Sequence, residues 1–145
     1  MIGARSLRLA HDGVPCDPPG LWRSMMTLSL VRLSLVLLGL GRTVGLIRRL
    51  ERGRASSADH DATMARAIEE SVAKAAALFP GRALCLEQSL TLYTLLRRSA
   101  VAARLRLGVQ SYPFGAHAWV ESNGEPLNDI AEHVAFYAPL EDLLP

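Results

Sequence analysis

Residues 104–129 read Arg104-Leu105-Arg106-Leu107-Gly108-Val109-Gln110-Ser111-Tyr112-Pro113-Phe114-Gly115-Ala116-His117-Ala118-Trp119-Val120-Glu121-Ser122-Asn123-Gly124-Glu125-Pro126-Leu127-Asn128-Asp129. Arg104 to Val109 alternates polar and apolar side chains, the period of a half-buried strand. Ala116–Glu121 is predicted as a second strand and Glu125–Asp129 as a third. Upstream the period is helical. Met64, Ile68, Val72, Ala75 and Phe79 recur at helix spacing over about Ala62–Phe79, with Asp61 as a cap and Pro80-Gly81 as the stop. A second helix is predicted from Cys85 to Arg98, with Leu86, Leu90 and Leu95 as its stripe. Arg97 and Arg98 close it at the negative end of the dipole. Helices followed by antiparallel strands imply an α+β body.

The chain has 145 residues, about one domain's worth. A domain of that size buries about 68–70% of its unfolded surface, so one sizeable core is feasible. Apolar residues make up 50% and charged residues 21%, which excludes a wholly disordered protein. A net charge of +2 is too balanced for nucleic-acid binding by charge alone. Two cysteines, Cys16 and Cys85, cannot build a disulfide framework or a four-thiolate zinc site. Met1–Gly20 lacks the apolar stretch of a secretory signal, so the expected setting is the reduced cytoplasm.

Charge divides the chain. Pro18–Leu50 carries five arginines (Arg23, Arg32, Arg42, Arg48 and Arg49) and no acid, whereas from Glu51 onward nine basic residues meet twelve acids. Residues 1–20 are expected to be a flexible N-terminus, 21–52 an apolar basic helical segment, and 62–145 the body. Gly53–Asp61 is rich in turn formers and reads as a linker. Leu28–Ile47 is apolar enough to raise a membrane question, but Arg32 and Arg42 interrupt it, at about 2.5–3.5 kcal/mol of insertion for each central arginine. The favoured reading is one or two helices packed on the body or on a partner. A helix lying on a membrane surface is the rival, and a true span the least favoured.

Three residues carry candidate chemistry. Cys85 opens a predicted helix, where free N–H groups and the dipole favour a thiolate; a buried structural cysteine is the plainer alternative. His117 stands in a predicted strand, where a histidine is commonly structural. A three-residue Ser122-Asn123-Gly124 hairpin would pair Glu121 with Glu125, Trp119 with Leu127 and His117 with Asp129, on one sheet face. A two-residue Asn123-Gly124 loop would instead oppose Ile130 to His117 and turn Asp129 away. In the first case, with the helix packed on that face, Cys85, His117 and Asp129 form a nucleophile, base and orienting acid. His133 follows Asp129 by four and could complete a metal pair, but no HExxH or CxxC motif supports one, so a structural or solvated role is expected. Cys16 lies in a Pro-rich stretch and His11 and His60 in predicted loops; none is given a role.

Gly81-Arg82-Ala83-Leu84-Cys85-Leu86, Ser89-Leu90, Leu95-Leu96-Arg97-Arg98, Leu107-Gly108-Val109, Pro113-Phe114 and Ala116-His117-Ala118-Trp119-Val120-Glu121 together resemble the lasso-peptide leader peptidases. These belong to the transglutaminase-like branch of the papain-type cysteine enzymes. The likeness is close over about Pro80–Asp129. The spacings of 32 from Cys85 to His117 and 12 from His117 to Asp129 agree with the family pattern. The resemblance implies a papain/transglutaminase-like α+β fold: the cysteine at a helix N-terminus on an antiparallel sheet carrying His and Asp, preceded by apolar helices. It assigns Cys85 as nucleophile, His117 as base and Asp129 as orienting acid. It departs at Ser99-Ala100, where the family commonly has a Gly in a turn. The papain oxyanion glutamine has no counterpart, since Phe79 stands six before Cys85; the Cys85 backbone N–H is the expected donor.

The resemblance further implies a leader peptidase of the split type, since the chain looks too short to hold a leader-binding domain ahead of the peptidase. Its expected partners are the precursor peptide as substrate, a separate leader-recognition protein and a macrolactam-forming cyclase, with no nucleic acid. No metal or cofactor is required by a thiol mechanism. An acyltransferase using the same triad and a non-catalytic scaffold are the rival readings.

Overall fold

A computed structural model describes residues 18–50 and 58–140. Cys16, His11, the predicted flexible N-terminus up to residue 17 and linker residues 53–57 lie outside the described residues. Three helices, α1 (Leu21–Leu50), α2 (Ala58–Leu78) and α3 (Cys85–Arg98), precede the strands β1 (Arg104–Ser111), β2 (Phe114–Ser122) and β3 (Glu125–Pro126). A short helix α4 (Ala131–Val134) and strand β4 (Ala138–Pro139) follow. The sheet is antiparallel, in the order β3-β2-β1-β4. The expected α+β architecture is therefore present, with α3 at its predicted bounds.

Helix α2 begins at Ala58, ahead of the predicted start, so Asp61 and His60 lie in its first turn and not in a linker or loop. Acids are favoured throughout a first turn, not only at the cap, because the dipole is positive there. Met64, Ile68, Val72 and Ala75 are buried as their spacing requires, and Met64, Ile68 and Val72 pack with Leu92, Leu95 and Leu96 of α3, Val101 and Val120. Phe79 falls just past the helix, half-buried.

The basic apolar segment is a helix broken at Gly39, whose φ of 76° is the left-handed region that glycine adopts without a Cβ penalty. One face packs on the body. Leu28 is fully buried, and Val31, Val44 and Ile47 form a second small core with Leu90 of α3. Ser24 hydrogen-bonds Ser71 of α2 at 2.8 Å, and Ser71 donates to the Pro19 carbonyl at 3.0 Å. The opposite face leaves Trp22, Met26, Leu30, Leu33, Val36 and Leu37 exposed. By length and hydropathy α1 could cross a membrane; such a helix is compatible with a soluble or a membrane-associated protein.

The second hairpin differs from the favoured expectation. Ser122 pairs with Glu125 and Glu121 with Pro126, so the loop is the two-residue Asn123-Gly124. Both residues have positive φ, 52° and 81°, as a type I′ turn demands; its twist matches the flanking strands, which favours it over the longer loop. The third strand accordingly ends at Pro126, not at Asp129.

Candidate active site

Cys85 is the first residue of α3, half-buried and not in a disulfide. Leu84 precedes it as the N-cap and has no side-chain acceptor. The first-turn N–H groups, which have no intrahelical partner, are therefore left uncapped from that side. Glu87 supplies the other half of a capping box, accepting the Leu84 N–H at 2.9 Å. Glu87 is buried, with Arg32 of α1 3.8 Å from its carboxylate and stacked 5.5 Å above the Phe79 ring. The basic N-terminal helix thus supports the turn that presents the cysteine. The Gln88 amide donates to the Ala83 carbonyl at 2.9 Å and fixes the approach to the helix.

His117 lies on the face of β2 that also carries Trp119 and Glu121; α3 packs on the opposite face, against Ala118 and Val120. Cys85 and His117 nevertheless open into one cleft, because β3 is too short to cover the edge of β2 at this level. There Ser89 of α3 donates to the Ala118 carbonyl at 2.8 Å, and Asn128 accepts the Val120 N–H at 2.9 Å. The start of α3 fits against this open edge. Arg82, Ala83, Leu84, Cys85, Gln88, His117 and Asn128 line one cleft.

Asp129 reaches His117 in spite of the two-residue loop. Leu127 N–H bonds the Val120 carbonyl as a continued ladder requires, and the chain then leaves the ladder. Asn128 turns its side chain to the edge of β2 and donates to Ser89 Oγ at 2.8 Å. The bend carries Asp129 to the imidazole, where its Oδ2 meets His117 Nε2. Sequence reasoning placed the pair together through strand register; the structure does so through an irregular turn held by Asn128. Asn128, Ser89 and Glu87 were given no role in the sequence. The only signal for Asn128 is an amide next to the candidate acid.

His133 Nδ1 lies 2.7 Å from the same Asp129 oxygen, and the Ile130 N–H donates to Oδ1 at 2.7 Å. His133, expected to be structural or solvated, has its side chain 46% exposed and takes a structural place beside the acid, four residues after it. Burial pushes the Asp129 carboxyl up, but hydrogen bonds from His133, Ile130 and His117 outweigh it and hold the carboxyl below its ordinary value. Trp119 stacks on the His117 ring at 6.0 Å and Tyr137 lies 5.1 Å away, so the imidazole is held on its faces. With Nε2 turned to a carboxylate acceptor, Nε2 carries the ring proton and Nδ1 is the nitrogen free to accept one. Another cleft, between Ile47, Leu90, Leu105 and Pro139, contains no cysteine or histidine.

The sequence model described as the transglutaminase-like superfamily matches residues 27–142. The chain belongs to the transglutaminase-like superfamily. Its members are typically cysteine peptidases or acyltransferases. No curated protein and no solved structure matches the chain. The match takes in α1 from residue 27 onward, and Cys85, Glu87, His117 and Asp129 all fall inside the transglutaminase-like region.

Proposed function

We propose that the chain is a cysteine peptidase that removes the leader from a ribosomally made lasso-peptide precursor. The observation that carries this reading is Cys85 and His117 in one cleft with Asp129 bonded to the far side of the imidazole. His117 Nδ1 takes the Cys85 proton and the thiolate attacks the scissile carbonyl. Asp129 fixes the tautomer and stabilises the imidazolium. The uncapped N–H of Cys85 faces the developing oxyanion. His117 returns the proton to the leaving amine, and water, deprotonated by the same base, releases the acyl group.

The lasso-peptide substrate rests on the resemblance over Pro80–Asp129. The same resemblance supports a separate leader-recognition protein and a cyclase as partners, and a cytoplasmic setting where the precursor is made. An acyltransferase would share every step up to the acyl-enzyme. The mass of the product separates the two: hydrolysis adds one water, transfer adds the amine. The deciding experiment incubates precursor and leader-recognition protein with the chain and with Cys85→Ala. Cleavage by the first and none by the second is expected; cleavage by Cys85→Ala would remove the thiol mechanism.

A further inference from the structure

Two histidines converge on one carboxylate oxygen, and a Cys–His–Asp mechanism uses only one of them. His117 Nε2 and His133 Nδ1 both face Asp129 Oδ2, and the three atoms lie within 4.8 Å of one another. We propose that His117, Asp129 and His133 form a binding site for a borderline divalent cation, Zn2+, whose occupancy switches off the thiol chemistry.

The donor set decides the cation. Two imidazole nitrogens and one carboxylate oxygen are what zinc accepts, with water in its fourth position. Calcium and magnesium prefer oxygen ligands and are poorly served here. The ligand atoms are already gathered and their side chains held. The Ile130 N–H holds Asp129 Oδ1, leaving Oδ2 for the ion. The faces of the His117 ring are held by Trp119 and Tyr137, and Tyr137 lies edge-on to His133 at 5.4 Å. Supporting contacts of this kind set ligand direction before the metal arrives. Access is open on one side, because the His133 side chain is 46% exposed while those of His117 and Asp129 are 15% and 12% exposed.

Occupancy has a definite chemical consequence. The two ring protons now directed at Asp129 cannot stay on nitrogens that ligate the ion. Each moves to the other nitrogen of its ring, Nδ1 in His117 and Nε2 in His133. His117 Nδ1 then carries a proton and cannot accept one from Cys85. The base is lost without displacing the cysteine or unfolding the site. The switch, though not the binding, rests on the peptidase reading.

The test uses the full chain carrying Cys85→Ala in a Cys16→Ala background, which removes both thiols as competing ligands. Titration with Zn2+ against a chromogenic chelator should give one ion bound per chain. Adding His133→Ala removes a ligand and should weaken binding by more than the about 10–100-fold that loss of a contact behind a ligand costs. Because that variant could disturb α4, Co2+ is titrated into the Cys85→Ala chain as a second readout. It should give a visible spectrum that shifts on adding His133→Gln. No binding by Cys85→Ala, or binding that ignores both His133 substitutions, overturns the site. In the chain with Cys85 present, Zn2+ should stop leader cleavage and a chelator restore it. Binding at the site with unimpaired cleavage overturns the switch, whereas absence of cleavage without metal counts against the peptidase reading alone.

Discussion

Asn128 Oδ1 accepts the Val120 backbone N–H at 2.9 Å, where a continued ladder would put the carbonyl of Leu127. One side-chain amide thus replaces a strand hydrogen bond, ends the pairing and lets the following residue swing to His117. The other end of the amide reaches Ser89 Oγ, so sheet edge, acid-bearing turn and helix α3 share one partly buried polar network.

Asn128→Leu keeps much of the volume and removes both bonds. It leaves the Val120 N–H buried without a partner, at about 1–3 kcal/mol. Its melting temperature and its cleavage rate should both fall. Asn128→Asp retains the acceptor toward Val120 and loses the donor toward Ser89, so it should lie between. Thermal unfolding and leader cleavage of the two variants check the order; an Asn128→Leu chain as stable and active as the original would contradict it.

Gly108 has no room for a methyl group. A Cβ there would stand 2.7 Å from Tyr137 Cβ and 2.9 Å from the Trp119 ring, the two aromatics against His117. Gly108→Ala should cost about 1–3 kcal/mol by overpacking and displace the His117 ring. Differential scanning calorimetry and the cleavage rate read the two effects; an unchanged melting temperature would show that Tyr137 moves freely.

The helices were legible because their apolar residues recur at 3.6-residue spacing and Pro80-Gly81 separates α2 from α3. Cys85 at a helix start followed from the same pattern. The third strand was not legible past Pro126. Period-2 counting assumes a regular ladder, and nothing local announces that Asn128 will break it. His133 reads as structural or solvated in the sequence because no HExxH or CxxC motif accompanies it, and α4, four residues long, shows no period that would place it beside Asp129. The His117–Asp129 contact was anticipated, but through a loop length that Asn123-Gly124 does not adopt.

The Asp129 carboxyl is held below its ordinary value in the folded chain. A lowered folded value stabilises the protein above the unfolded value, about pH 3.9, and the contribution disappears as pH falls through that value toward the lowered one. The stability advantage over Asp129→Asn should therefore be present at neutral pH and shrink below about pH 4. Urea unfolding of both chains across acid pH measures it. An advantage that grows on acidification would contradict the sign.

Helix α1 is part of the body's core. Leu28 is fully buried, so Leu28→Ala should cost about 2–5 kcal/mol. Deleting Met1–Arg49 removes Leu28, Val31, Val44 and Ile47, uncovers Leu90 and takes Arg32 from Glu87. The truncated chain should be insoluble or inactive. Soluble yield, gel filtration and cleavage test this; a soluble, monomeric and fully active truncation would place α1 outside the enzyme core.

On the proposed mechanism Cys85, His117 and Asp129 act as one thiol-activating unit, and the alkylation rate of Cys85 tests this with neither substrate nor partner. In the Cys16→Ala chain, iodoacetamide near neutral pH should consume one thiol rapidly and stoichiometrically. Adding His117→Ala should slow the reaction severely, and Asp129→Asn less so. A Cys85 that reacts equally fast without His117, or is inert with it, would contradict the account.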